Sequence, residues 1–250
     1  MDYAISLSGG IGSGASALIA YEQGLDFEMY FADTLIEDED LYRFNADISQ
    51  AVGKPVHTLT DGRTPWGVFE DTKYIGNNRI AKCSDVLKTQ QVKAALAGTN
   101  AKLILGMYKD EEDRLVRAQD KWYPRLVGSL LIDYKVYPKD ADALLIKHGI
   151  AKPRLYSYGF PHNNCGGMCV RAGQAQFATL LKHFPERYAR HEMSQELSMA
   201  WIGETAKPFI RATLYGEKVY LTMKQFREWL EDGTLTVDPY EFGGCGCFVD

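Results

Sequence analysis

The sequence contains no apolar run approaching the roughly 18 residues a bilayer-spanning helix needs, so no membrane partner or anchor is expected. It has no surplus of positive charge either. Lys and Arg number 28 against 33 Asp and Glu, a formal net charge of −5, which argues against bulk electrostatic adhesion to nucleic acid. A local basic groove would still fit that balance, so nucleic acid stays open as a partner but is not favoured. Internal repeats and low-complexity stretches are missing, which excludes a solenoid and a largely disordered chain. The first residues enter a strand pattern at once, without the basic-then-apolar run of a secretory signal, and the expected compartment is cytoplasmic. Cysteine is scarce, five in 250 residues. Without an export signal these are expected as reduced thiols, metal ligands or redox groups rather than structural disulfides.

What is present suits a globular chain: 46% hydrophobic residues, enough for a sizeable core. Asp2 to Leu7 reads as a buried strand, Ala15 to Tyr21 as an alanine-rich helix, and Phe27 to Ala32 as a second strand. Leu41, Phe44, Ile48 and Val52 mark one face of a helix stopped by Gly53 and Pro55. Pro55 to Leu59 is a third strand, 60–78 a loop, and a helix capped by Ser84 or Asp85 runs to Gly98. Ala101 to Leu105 is a fourth strand. Leu130 to Tyr137 fits a strand or a helical turn equally well. Helices follow over 140–148, 174–184 and 187–201, then two strands joined at Gly216-Glu217 and a helix from Met223 to Leu230. This alternation predicts an α/β fold, a parallel sheet covered by helices on both faces, with a small C-terminal α+β extension. The expected division is 1–205 for the main domain and 206–250 for the extension.

Ligands of such sheets sit at the carboxyl ends of the strands, where the strand order reverses. Three chemistry-bearing stretches fall there. Ser8-Gly9-Gly10-Ile11-Gly12-Ser13-Gly14 lies between strand and helix, where glycines let the backbone approach an anion and helix N–H groups meet it. No Lys-Ser or Lys-Thr follows, which excludes the Walker loop, and the spacing is not that of a dinucleotide fingerprint. Asp33 and Thr34 end strand two, placed to meet a nucleoside. Gly106 to Arg114 ends strand four, with Lys109 and Arg114 as candidate partners of anionic oxygens.

The cysteines form two groups. Cys83 lies just before a helix start, where the helix dipole favours a thiolate. Cys165 and Cys169 are four apart in His162-Asn163-Asn164-Cys165-Gly166-Gly167-Met168-Cys169, converging either on one helix face or around a glycine loop. With Cys83, and His162 as a further candidate, they are the expected ligands of an iron–sulfur cluster or zinc. The tail, Gly243-Gly244-Cys245-Gly246-Cys247-Phe248, is expected to be mobile and to carry a reactive thiol, Cys245 or Cys247, onto a substrate bound elsewhere.

Together these stretches resemble the phosphoadenylyl sulfate (PAPS) reductase family of the adenine-nucleotide alpha-hydrolase (PP-loop) superfamily. The loop Ser8 to Gly14 is similar to its Ser-Gly-Gly-x-Asp-Ser loop, with Gly12 where that pattern has Asp. Asp33-Thr34-Leu35, Lys82-Cys83-Ser84-Asp85-Val86-Leu87-Lys88, Gly106-Met107-Tyr108-Lys109 to Arg114, and Leu155 to Cys169 resemble further family segments in the family's order, over roughly 1–185. Ser84 stands where cluster-bearing members have a second cysteine, and Tyr108-Lys109 where the family has paired arginines.

The resemblance implies an enzyme acting on an adenine nucleotide (ATP, adenylyl sulfate or PAPS) held by Ser8, Gly9, Gly10, Gly12, Ser13, Asp33, Thr34, Gly106, Lys109 and Arg114. It further implies a 4Fe-4S cluster or zinc on Cys83, Cys165 and Cys169, a tail-thiol nucleophile, and a thioredoxin-like dithiol reductant. Two other readings accommodate the residues: an ATP-dependent sulfur transferase modifying DNA or tRNA, and a non-catalytic nucleotide-binding module. A homo-oligomer is not excluded by the sequence.

Overall fold

Short apolar segments set the architecture. In a computed structural model that describes residues 1–244 and 247–248, β1 (Tyr3–Ser6) is the central strand of a five-stranded parallel sheet. The order is β3-β2-β1-β4-β5, with β2 Phe27–Asp33, β3 Val56–Thr60, β4 Lys102–Ile104 and β5 Val127–Gly128. Tyr3 pairs with Phe27 on one side of β1 and with Lys102 on the other. Strands β1 and β2 are almost continuously buried because helices cover both faces.

On one face, α1 (Ile11–Glu22), α2 (Glu39–Val52) and α8 (Pro138–Lys147) bury Leu18, Phe44, Ile48 and Leu145 against Ile5 and Met29. On the other, α5 (Gln90–Ala95) and α6 (Glu112–Trp122) bring Val92, Leu115 and Trp122 against Ala4, Leu103 and Leu105. The chain lays out β1, β2 and β3 to one side, then returns across β1 to place β4 and β5. The reversal between β1 and β4 opens a crevice at their carboxyl ends.

A third cluster lies outside the sheet. It joins α3 (Pro65–Thr72), α10 (Gln174–His183) and α11 (Pro185–Ile202) to the antiparallel hairpin β6 (Ile210–Leu214) and β7 (Glu217–Leu221), and to α12 (Met223–Glu231). Phe209, Ile210, Leu221 and Phe226 therefore share a core with Trp66, Phe177 and Tyr188. No helix of the described residues is long and apolar enough to cross a membrane.

The α/β fold matches expectation; several boundaries do not. Helix α1 starts at Ile11, four residues earlier than predicted, so Gly12 lies in its first turn. The segment 60–78, predicted as loop, contains α3, with Thr64 capping the Gly67 N–H and Pro65 at the first helical position. Leu130–Asp133 resolves as a helical turn, α7. The charged stretch after strand four turns through Lys109–Glu111 into α6.

Candidate active site

Ser8 to Ser13 fold tightly because β1 must feed straight into α1. Gly9 has φ +79°, and a Cβ there would stand 2.3 Å from Leu41 Cγ. The Ser13 hydroxyl donates to the Gly10 carbonyl at 2.9 Å and accepts from the Ser8 N–H at 3.1 Å, closing the loop on itself. From the neighbouring strand comes Gly106. A Cβ on it would lie 2.4 Å from Ser13 N, and one on Gly12 would lie 2.6 Å from the Gly106 carbonyl oxygen. The two strand ends thus touch backbone to backbone.

This junction forms the floor of a cavity of about 530 Å³. Ser8, Gly10, Gly12, Ser13, Gly106, Arg114 and His162 line it, as do Tyr108, Lys152, Tyr156, Asn163 and Asn164. An α-helix leaves its first four N–H groups without intrahelical partners, and α1 begins here. The Ile11 N–H meets the Tyr156 hydroxyl at 3.4 Å. Three carboxylates, Asp110, Glu111 and Asp142, also face the cavity. Arg114 is paired with Glu111, and Lys152 with Asp142 at 2.6 Å, so the lining is less basic than its residue list suggests.

Four predicted nucleotide residues lie off this lining. Gly9 contributes through its backbone, its carbonyl accepting from the Asn163 amide at 2.8 Å. The Asp33 carboxylate is taken by the Tyr42 hydroxyl (3.0 Å) and by the Leu35 N–H (2.8 Å). The Thr34 hydroxyl donates to Glu37 at 2.8 Å. Lys109 is exposed and paired with Glu112 at 2.6 Å. Each side chain is committed to a neighbour, a pairing invisible in strand-end placement.

Beyond the wall formed by His162 and Asn164 lies a second, much smaller pocket, which those two residues also line together with Cys165, Cys169 and Cys247. Cys165 opens a 3₁₀ turn, Cys165–Gly167, in which Gly166 (φ +56°) is pressed so close to the Ile36 carbonyl that a Cβ would stand 2.5 Å from it. Cys83 arrives from the short helix α4 (Lys82–Ser84) and senses the charges of Cys169 and Cys247. Of the sequence-predicted thiols, Cys165, Cys169 and Cys247 therefore line one pocket, and Cys83 packs against the same apolar cluster as Cys169; Cys245 lies outside the described residues. Beside them the buried carboxylate of Glu37 accepts from the Cys165 N–H and lies 3.6 Å from the ammonium of Lys88, itself buried. Sequence reading missed Glu37, although it follows Asp33-Thr34 by three residues, within helix-capping reach of the turn.

Burial governs these thiols. It pushes Cys83 up to about 12 and Cys169 up to about 11, in each case aided by neighbouring thiolates, and raises Cys165 well above its ordinary value against the opposing charge of Lys88. The expected dipole-stabilised thiolate at Cys83 is thus overturned: α4 continues without a break through a π turn, Asp85–Thr89, into α5, yet burial outweighs the dipole of that run. His162 is lowered, first by burial and then by the charge of Arg114. The sign of the linkage follows. Thiols raised in the fold contribute fully below their unfolded value near 9, and that contribution is lost as pH rises toward 11–12. At pH 10 each should cost about 1.4 kcal/mol of metal-free stability. Thermal unfolding between pH 8 and 10.5 should show a decline that C83S and C169S each reduce; parallel curves for wild type and both variants would contradict it.

Residues 2–125 match the family model of the phosphoadenosine phosphosulfate reductase domain. This segment belongs to the PAPS reductase family. Among solved structures, the chain is similar to the phosphoadenylyl-sulfate (PAPS) reductase from Candida auris in its phosphate complex. The TM-score is 0.45 and the identity 11%, over 64% of this chain and 79% of that one. No curated protein matches the chain. Within the PAPS reductase domain fall the glycine loop, Gly106, Arg114 and Cys83. Cys165, Cys169 and the tail lie beyond the matched segment.

Whether the thiols suit an iron–sulfur cluster or zinc can be judged from the donor set. Among the described residues no three His, Cys, Asp or Glu side chains converge on the position of one ion, which would sit about 2.3 Å from each sulfur. Three thiols instead surround a pocket, a fourth adjoins them, and the Lys88 charge opposes their negative charge. As they stand, the described side chains do not form a ligand set for zinc or for an iron–sulfur cluster.

Proposed function

We propose that the protein is a sulfonucleotide reductase acting on an adenine nucleotide. The observation that supports it most is the shared wall: His162 and Asn164 border both the glycine-loop cavity and the thiol pocket. The α1 N-terminus and the hydroxyls of Ser8 and Ser13 would hold the phosphate–sulfate anhydride, with Gly12 and Gly106 allowing close backbone approach. Arg114 would neutralise anionic oxygen. A tail thiolate, Cys245 or Cys247, attacks the sulfur of the bound sulfonucleotide. The sulfur–oxygen bond breaks, the nucleoside phosphate leaves with its electron pair, and an S-sulfocysteine remains. A dithiol of the thioredoxin type then attacks the cysteine sulfur, releasing sulfite and becoming a disulfide with that cysteine, which its second thiol resolves.

With Arg114 assigned to the anhydride oxygens, the remaining lysine or arginine of the cavity lining is Lys152, paired with Asp142 at 2.6 Å, which leaves a 3′-phosphate without a guanidinium partner. Adenylyl sulfate should therefore be turned over faster than PAPS. The test is sulfite release from each substrate with thioredoxin and its reductase; no sulfite from either sinks the proposal. The cavity carboxylates Asp110, Glu111 and Asp142 favour one alternative, ATP-dependent sulfur transfer to DNA or tRNA, because they suit a magnesium-bearing triphosphate. ATP–pyrophosphate exchange stimulated by nucleic acid would select it instead.

A further inference from the structure

The cysteine tail is expected from its glycines to swing; its described part is held at two points. On the near side the Glu241 carbonyl accepts from the Ala175 N–H (3.0 Å), the Phe242 carbonyl from the Gly173 N–H (2.8 Å), and Gly243 bridges Ala172 in antiparallel fashion. A Cβ on Gly173 would lie 2.1 Å from the Glu241 carbonyl oxygen, and one on Gly243 2.5 Å from Gly173 N, so both positions need glycine. On the far side Phe248 is buried in the core beneath the sheet, its ring 6.1 Å from that of Trp122. The Trp122 indole N–H donates to the Phe248 carbonyl at 3.2 Å.

Between these anchors two thiols meet. Cys169 precedes the Ala172 bridge by three residues and Cys247 follows Gly243 by four, so antiparallel pairing carries both thiols to the same end of the strap. Both line the small pocket behind His162 and Asn164. Of the charges that reach Cys169, that of Cys247 weighs most. Cys165 shares the pocket but belongs to the turn fixed on Glu37 and Ile36, and Lys88 and Glu37 act on it more strongly than Cys247 does. The pocket measures about 20 Å³, room for little more than one water, which keeps a partner protein's dithiol out of it. A thiol already inside meets no such barrier. Cys247 is half-buried, so a group carried on its sulfur need not enter the pocket.

We propose that Cys169 is the resolving thiol of the reductase reaction, acting on Cys247 as the nucleophile. This rests on the sulfonucleotide-reductase reading and brings inside the chain an attack otherwise left to the external dithiol. Cys247 takes the sulfonate from the nucleotide, and the nucleoside phosphate leaves. The Cys169 thiol then gives its proton to water and attacks Cys247 Sγ. The bond from Cys247 to the sulfonate sulfur breaks, and sulfite departs with the electron pair. Two thiols are thereby oxidised to one disulfide as the sulfonate is reduced to sulfite. A thioredoxin-type dithiol restores both by exchange and becomes a disulfide itself. Burial makes the Cys169 thiolate scarce: with its value pushed up to about 11, about one thiol in ten thousand is ionised at neutral pH. Effective concentrations of about 10⁵ M for a held intramolecular pair more than offset that. Cys245 is a poorer partner for Cys247, because a Cys-x-Cys disulfide is strained.

The test is a single turnover. The reduced full chain is given adenylyl sulfate without thioredoxin, then alkylated, with sulfite measured and the cysteine products mapped by mass spectrometry. Wild type should release about one sulfite per chain and yield a Cys169–Cys247 disulfide. C169S should stop at S-sulfocysteine on Cys247, its sulfite release at least about tenfold slower until a dithiol is added. The disulfide map of wild type stands whatever the stability of C169S. Wild type that holds S-sulfocysteine until a dithiol arrives would overturn the proposal, as would a disulfide to Cys165 or Cys245, or sulfite from C169S at the wild-type rate. The absence of both adduct and sulfite, with adenylyl sulfate and with PAPS, defeats the reductase reading instead. The pair is then judged in glutathione redox buffer without nucleotide: a predominant Cys169–Cys247 disulfide upholds their pairing, and any other pairing refutes it.

Discussion

Asp38→Ala is expected to destabilise the protein by about 3–5 kcal/mol, the range for removing one partner of a buried ion pair. Asp38 is fully buried at the start of α2, where its carboxylate accepts from the Asp40 N–H at 3.0 Å. It also binds Arg154 through two contacts of 2.7 and 2.9 Å and Arg187 at 2.8 Å. Arg187 in turn donates to the Gly166 carbonyl at 2.9 Å, so one carboxylate ties the α2 start to the cysteine turn. At roughly 2–4 °C per kcal/mol for a chain of this size, the thermal midpoint should fall by about 10 °C. D38N separates the contributions: it can still cap α2 but leaves Arg154 and Arg187 only the exposed carboxylate of Glu39 as counter-charge, so most of the loss should remain. If D38N is as stable as wild type, the capping bond alone matters and the ion-pair account fails.

The same group sets an acid dependence. Burial pushes the Asp38 carboxyl upward, but the hydrogen bonds and charges of Arg154 and Arg187 outweigh it and hold the group below the usual carboxylate range. A depressed carboxyl contributes fully above its unfolded value near 4, and the contribution is lost as pH falls through the folded one. Unfolding followed from pH 6 down to 2 should show wild type converging on D38A. A constant gap across that range would assign the effect to packing rather than charge.

Regular elements were legible because their signals are local. Leu41, Phe44, Ile48 and Val52 recur at helical spacing, and all four are buried on α2. Gly53 then ends the helix at φ +66°. The glycine loop was legible for the same reason, its function being carried by contiguous backbone. Less legible were positions decided by long-range partners. Asp33 sits at a strand end in reach of a nucleoside by sequence logic, yet Tyr42, one turn into α2, takes its carboxylate. Lys147, Lys152 and Arg154 crowd three positive charges into eight residues, yet each has an acidic partner: Glu22, Asp142 and Asp38. Periodicity cannot report such neutralisation, since the partners lie far apart in the chain. Cys83 was grouped with Cys165 and Cys169 on thiol chemistry, since spacing says nothing of residues some eighty positions apart. The docking of Phe248 on Trp122 had no local signal, because a glycine-rich terminus reads as loose whether or not its last aromatic finds a pocket.

Gly106→Ala is the sharpest test of how the nucleotide cavity is built. Its new methyl would lie 2.4 Å from Ser13 N, 2.5 Å from Gly12 C and 2.7 Å from Ser13 Cα, all backbone atoms of the α1 first turn. A flexible side chain could swing away; this turn cannot move without opening the junction between β1 and β4. Overpacking of that kind costs up to about 3 kcal/mol, equivalent to about 6–12 °C in thermal midpoint. Affinity for an adenine nucleotide should fall at least about a hundredfold, because the displaced N–H groups are those proposed to meet the anion. Gly12→Asp, which restores the residue of the resembling loop pattern, should be no better tolerated: its Cβ would lie 2.6 Å from the Gly106 carbonyl oxygen, with Leu131 behind it. Gly10→Ala supplies the contrast. Its backbone is extended at φ −92°, and the nearest atom to a Cβ is the Tyr156 hydroxyl at 3.3 Å, the mobile end of a side chain. That variant should keep its thermal midpoint within about 1 °C. Calorimetric titration with ATP and adenylyl sulfate, alongside thermal unfolding of all three variants, decides the matter. Wild-type stability and binding in G106A would mean that the two strand ends do not meet as described, and the anion site would lose its floor.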